Sequence, residues 1–223
     1  EQVAKSRSHS FQMDEKVKVD VAEIVKRLDG VPLAIELAAS RINILTPAKI
    51  LSRLNKRFQL LQSRDAHVGV RQRTLKATID WSWGLLEPWE KAILAQSSVF
   101  KGGFDLKALK MITDVSAFGH VPSMAQIAQR LVDENFWKSQ DMWQGYTRYS
   151  LYESIREYAA IQLKEIPKED PQNWMAVRRR HAAYFRQYGT QEHINSFSMK
   201  GGVRRRQKLV LELENLQNAM SFS

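Results

Sequence analysis

Apolar residues recur at helical period as soon as the chain leaves its polar opening. Val21, Ile24, Val25 and Leu28 fall at i, i+3, i+4 and i+7, the stripe of an amphipathic helix. Asp20 is placed as its N-cap, with Glu23 in the far half of a capping box. Gly30 suits the left-handed position past a helix end, and Pro32 suits the first turn of the next helix. Residues 27–39 therefore read as a helix, a Gly-Pro corner and a second helix. By spacing alone the corner serves packing. The same geometry also suits a fixed backbone corner whose proline ring lies against a nucleotide base.

The second helix ends over residues 42–45. Thr46-Pro47 then caps a short third helix with Ile50, Leu51 and Leu54, and Phe58, Leu60 and Leu61 anchor the segment after it. Residues 1–16 are polar and resemble the edge of a unit continuing upstream, and residues 62–69 form the best linker. Beyond them Leu75, Ile79, Leu85 and Leu86 are helical anchors, and Pro88 opens a helix with Trp89, Ile93 and Leu94. A turn at 101–104 leads to a helix capped by Asp105, and a loop at 113–122 leads to an amphipathic helix capped by Ser123. Residues 136–139 and 146–151 alternate around Gly145, which predicts a β-hairpin, and a helix is predicted at 153–163. After a break at 167–171, helices are predicted at 173–188 and 205–220, with a loop at 189–202.

The predicted fold is mainly α. A helical subdomain spans 1–62, a winged-helix domain 70–165, and a helical pair 172–223 starts a TPR-like array, although one pair is too little to establish a period.

Composition narrows the function classes. The chain has 223 residues and no cysteine, which excludes disulfides and thiolate metal sites. No apolar run reaches the ~20 residues that span a bilayer, so a soluble, cytoplasmic protein without membrane partners is expected. Because the chain begins with Glu1, it is expected to be an excised piece of something longer. The net charge is +10, and residues 178–223 hold 9 Lys/Arg against 3 Asp/Glu. The clusters Arg178–Arg180 and Arg204–Arg206 are expected to be solvated helix faces, because no aromatic residues interleave as stacking platforms. Trp81, Trp83, Trp89, Phe100 and Phe104 are assigned to the core.

Three blocks in order carry a family resemblance. Residues 28–41 (LDGVPLAIELAASR), 71–82 (RQRTLKATIDWS) and 149–159 (YSLYESIREYA) resemble segments of the signal-transduction ATPases with numerous domains. This is the NB-ARC or apoptotic-ATPase class, and the nearest branch is that of AfsR-like bacterial transcriptional regulators. The blocks resemble the family's GxP segment, its entry to the winged helix and its wing-to-helix segment, over about residues 15–165. The resemblance implies a switch in which an upstream P-loop ATPase domain binds ADP or ATP with Mg, and the helical and winged-helix subdomains fold over the nucleotide. It implies that Gly30, Pro32 and Leu33 border the nucleotide, with Pro32 against adenine. Tyr152 stands where the family's Met-His-Asp motif places a histidine on the ADP β-phosphate, but a tyrosine hydroxyl cannot carry positive charge.

The catalytic half is not in this sequence. There is no Gly-x-x-x-x-Gly-Lys-Ser/Thr loop and no strand ending in paired carboxylates. His9, His67, His120, His181 and His193 lack metal-ligand spacing. The fragment is expected to hold no cofactor and not to be an enzyme, while the parent protein is expected to be an ATPase. Its expected partners are intramolecular: the upstream P-loop domain and downstream sensor repeats, with DNA reached through a separate output domain. The competing reading is a winged-helix nucleic-acid-binding protein using the basic C-terminal helices. The helix at 124–136 offers Gln126, Gln129 and Arg130 for DNA, but also Asp133 and Glu134.

Overall fold

The structure is a computed structural model that describes residues 14–62, 70–143 and 145–221. The proposed linker therefore lies outside the described residues, apart from Gln62, as does most of the polar opening. The described chain is mainly helical with one two-stranded antiparallel sheet, and it divides into two compact units.

The first unit comprises residues up to 87 together with 133–136. Helix α1 (Glu15–Arg27) starts earlier than the spacing predicts, because Asp14 accepts a hydrogen bond from the Val17 amide at 2.8 Å. Asp20 is thus inside the helix and not its cap. Helices α2 (Pro32–Ala39), α3 (Pro47–Gln62) and α4 (Val70–Gly84) come next. At 16 residues α3 is not the short helix expected. Its start is as predicted, with Thr46 Oγ1 accepting from the Lys49 amide at 3.4 Å. α1 packs on α3, and α4 packs on α2 and α3. They enclose Ile24, Leu28, Ala34, Ala38, Ile50, Leu54 and Trp81.

The second unit comprises residues 88–132 and 137 onward. Helices α5 (Pro88–Ser97), α6 (Leu106–Ile112) and α7 (Met124–Asp133) precede strands β1 (Trp137–Trp143) and β2 (Tyr146–Leu151), and α8 (Glu153–Lys164) packs back on α5. Trp137 pairs with Leu151 and Ser139 with Tyr149, and the register shifts between Asp141 and Trp143. Phe104 adds a third, one-residue strand through reciprocal 2.8 Å bonds with Tyr149. Three helices, this small sheet and a closing helix form the winged-helix arrangement.

The alternation on the hairpin has a physical consequence. Trp137 and Tyr149 face the core, where Phe104 packs on Phe100 (4.6 Å between ring centroids) and on Trp137 (4.9 Å). Phe100 and Phe104 are buried as predicted, and in the first unit so is Trp81, while Trp83 and Trp89 are half-buried.

Beyond α8 come α9 (Trp174–Arg186), α10 (Gln191–Asn195), α11 (Gly202–Leu211) and α12 (Leu213–Met220). The predicted loop thus contains a short helix. The predicted single helix at 205–220 is two helices broken at Glu212, whose side chain is drawn into the core of the unit. Arg179 and Arg204 are exposed, as expected of solvated helix faces, but other arginines of the two clusters bond the protein. Arg180 donates to the Ile112, Pro171 and Gln96 oxygens, and Arg205 to the Ser196 and Lys200 carbonyls.

Candidate functional site

The corner is built by a helix end with two consecutive left-handed residues. Asp29 has φ +50 and Gly30 has φ +65. The Gly30 amide reaches back to the Val25 carbonyl (3.2 Å) and the Asp29 amide to Lys26 (3.1 Å). These are the two bonds of a Schellman motif. The left-handed burden therefore falls on Asp29 as well as on the predicted Gly30. Asp29 is held from outside the turn, since its carboxylate accepts from Thr74 Oγ1 of α4 at 2.5 Å.

Pro32 is the first residue of α2 and is exposed, Leu33 is half-buried, and a Cβ at Gly30 would meet nothing within 4 Å. Gly30, Pro32 and Leu33 thus form one rigid, outward-facing apolar corner whose proline ring is open to contact. Tyr152 belongs to the second unit. It is the N-cap residue of α8, in extended conformation, and Lys138 Nζ stands 3.9 Å from its ring centroid.

The far end of α2 carries a buried charge that the spacing did not reveal. Arg41 is 1% exposed and pairs with Glu134 at 2.9 Å. It also donates to the Ser82 carbonyl at 3.3 Å and lies 5.7 Å from the Phe136 ring centroid. Asn135, itself left-handed at φ +59, donates to the Glu36 carbonyl at 3.0 Å. Residues 133–136 are thereby fastened to the C-terminal end of α2.

The candidate DNA-facing helix is α7. Its exposed residues are Ala125, Gln126, Gln129 and Arg130. Gln126 is engaged in a capping box, accepting from Ser123 Oγ at 2.7 Å. Arg130 bonds the buried Glu90 carboxylate at 2.7 Å and lies 5.4 Å from the Trp89 ring centroid. That ion pair cancels the one cation on the helix.

A second buried polar cluster lies where β2 meets the C-terminal helices. Arg148 and Glu212 form an ion pair at 2.8 Å, with Asn215 beside them. Burial opposes the Arg148 charge, but the hydrogen bond and charge of Glu212 override it and raise the guanidinium pKa. Burial, then the carboxylates Asp105 and Glu212, push the Tyr146 hydroxyl up to about 12. Sequence reasoning missed this cluster. The signals available were an arginine between aromatics on an alternating strand and a glutamate inside an apolar helical stripe. His181 is also buried, between Phe100 and Phe185, and burial pulls its imidazole down to about 4. Among the described residues no three His, Asp or Glu side chains gather as a metal site, and no helix is long and apolar enough to cross a membrane.

No family model matches the chain. A Mycobacterium tuberculosis protein provisionally named an HTH-type transcriptional regulator is 34% identical over 203 residues, covering 91% of this chain and 22% of that protein. A Mycobacterium bovis protein of the same name matches equally. An uncharacterized Mycobacterium tuberculosis protein is 36% identical over 195 residues, 87% of this chain and 47% of that protein. The chain spans about a fifth to a half of the length of these relatives.

Proposed function

We propose that the chain is a regulatory segment of a larger transcriptional regulator, acting through contacts and domain movement and not through turnover. One observation carries this reading. The similarity to proteins named as HTH-type regulators runs across both units, 91% of this chain, yet occupies only 22% of each of those proteins. No Walker motif stands in the sequence, so any ATPase activity belongs to another part of the parent protein.

In this reading the corner at Gly30, Pro32 and Leu33 borders a nucleotide held by a P-loop domain upstream, and the C-terminal helices lead into a sensor region. The exposed Pro32 ring and the open space at Gly30 fit contact with a flat base. Nothing at the corner supplies a phosphate-binding cradle, so phosphates and Mg belong to the P-loop domain. In the full-length parent, Pro32→Ala is expected to weaken ADP binding several-fold in calorimetry. Unchanged affinity refutes the base contact.

A second reading, direct DNA binding by the winged helix, is favoured by the relatives' names. Against it stands the charge arrangement, with Arg130 on Glu90 and Arg180 and Arg205 on internal oxygens. Phosphate contacts require cations free to release counterions. Fluorescence anisotropy on a labelled duplex separates the readings. The regulatory segment is expected to bind only weakly at physiological salt. Low-micromolar binding that falls steeply between 50 and 200 mM salt replaces the first reading with the second.

A further inference from the structure

α11 and α12 part at Glu212, which ends one helix, begins the next and is 1% exposed. Its two carboxylate oxygens accept from Arg148 Nη1 at 2.8 Å and Nη2 at 3.2 Å. Arg148 is itself 6% exposed on β2. Its Nε donates to the Gly102 carbonyl (3.0 Å), and Nη2 also reaches the Gly103 carbonyl (3.0 Å) and the Leu211 carbonyl (2.6 Å). Asn215, one turn into α12, completes the ring. It donates to Gly103 O at 2.8 Å and to Glu212 Oε2 at 2.7 Å, and accepts from the Lys101 amide at 2.7 Å.

The turn at 101–104 is shaped for this ring. Gly103 has φ +95, and a Cβ there would stand 2.6 Å from the Tyr149 carbonyl oxygen. The neighbouring residue, Phe104, pairs with Tyr149 as the third strand of the wing sheet. The same short turn therefore carries the wing's third strand and the socket for the break between α11 and α12.

A buried ion pair is weak evidence of stability, since apolar packing of equal volume often does as well. What a guanidinium fork adds is geometry, because its rigid, directional donors fit one arrangement of acceptors. Moving α12 away takes Glu212 from the fork and leaves a buried charge uncompensated, a state that persists only if the turn opens to water. Such an element has two discrete states and nothing stable between them.

We infer that Arg148 and Glu212 form a coupling joint through which displacement of α11 and α12 unlocks the 101–104 turn and the Phe104–Tyr149 pairing of the wing. Whatever engages the C-terminal helices thereby sets the order of the winged helix. This deepens the regulatory reading and rests on it for its biological meaning. The coupling itself is measured without DNA or nucleotide, so its failure and the failure of that reading are distinguishable.

The test is native-state hydrogen exchange by NMR on the whole chain. In sub-denaturing urea, the amides of Leu216, Phe104 and Tyr149 are expected to merge onto one opening isotherm. Separate isotherms overturn the coupling. Glu212→Gln, which removes the charge and keeps the shape, is expected to speed exchange at Phe104 and Tyr149 at least tenfold while the helical amides of Ile93 and Ala159 keep theirs. No acceleration, or the same factor at all four, overturns the joint. Arg148→Lys keeps the charge but loses the fork, and is expected to reproduce the selective acceleration. Wild-type protection in that variant refutes the geometric argument.

Discussion

His181 makes the stability of the second unit depend on pH between about 7 and 5, above the range in which most carboxylates titrate. The imidazole is 2% exposed, stands 4.6 Å from the Phe185 ring centroid and 5.6 Å from that of Phe100, and leaves Nε2 without a hydrogen-bond partner. Desolvation is the main reason its pKa falls from 6.5 to about 4; a hydrogen bond with Asn215 opposes the fall and the Arg178 charge adds to it. The folded pKa lies below the unfolded one, so between about pH 4 and 6.5 the unfolded chain binds the extra proton. Stability is therefore full above pH 6.5 and declines as pH falls toward 4. At about 1.4 kcal/mol per pKa unit, the whole window is worth about 3 kcal/mol, of which about 2 kcal/mol falls between pH 7 and 5. With a urea m-value of about 2 kcal/mol/M, that lowers the midpoint by roughly 1 M. The assay is urea unfolding at pH 7, 6 and 5 for the wild type and His181→Phe, with the second unit followed by amide exchange at Ile93. The variant is expected to lose most of the pH dependence, whatever its stability at pH 7. A wild-type midpoint constant from pH 7 to 5, or an equal decline in both proteins, refutes the argument.

Three further outcomes rest on packing and backbone geometry. Phe104→Ala removes a fully buried ring stacked on Phe100 and set edge-on to Trp137 and is expected to cost about 3–5 kcal/mol in chemical denaturation; a loss below 1 kcal/mol contradicts the packing. Gly103→Ala and Gly30→Ala both require positive φ, but only the first drives a Cβ into backbone, at 2.6 Å. Gly30→Ala is expected to cost about 1 kcal/mol and Gly103→Ala clearly more, and calorimetric melting that reverses the order refutes the distinction. Glu134→Gln strips the partner from buried Arg41 and is expected to destabilise the first unit by about 3 kcal/mol, read by urea denaturation; a neutral result shows that Arg41 finds other acceptors.

Local signals in the sequence were reliable where the cause is local. Pro32, Pro47 and Pro88 each begin a helix, because proline's fixed φ and missing amide suit a first turn. Asp105 caps α6 by accepting from Ala108 at 2.7 Å, and the alternation around Gly145 produced the hairpin. The misplaced cap at Asp20 shows the limit of this logic, since Asp14 offers the same chemistry six residues earlier and extends the helix by a further turn and a half. At the corner, spacing identified the left-handed Gly30 but not the left-handed Asp29, whose conformation is supported by Thr74 from a distant helix.

Residue identity and spacing over a turn or two were enough to set most of the helix starts, the hairpin and the exposed Gly30–Pro32 corner, and they show the lack of Walker motifs in this chain. Which charges are free was settled only by the packing of distant segments. Arg41, Arg130, Arg148 and Arg180 are indistinguishable in composition from surface arginines, yet each is committed to an oxygen at least 40 residues away. The break at Glu212 was settled in the same way. A helix continuing through that position would satisfy local propensity, but the desolvated fork of Arg148 requires a carboxylate there, and that requirement exists only once the wing has folded.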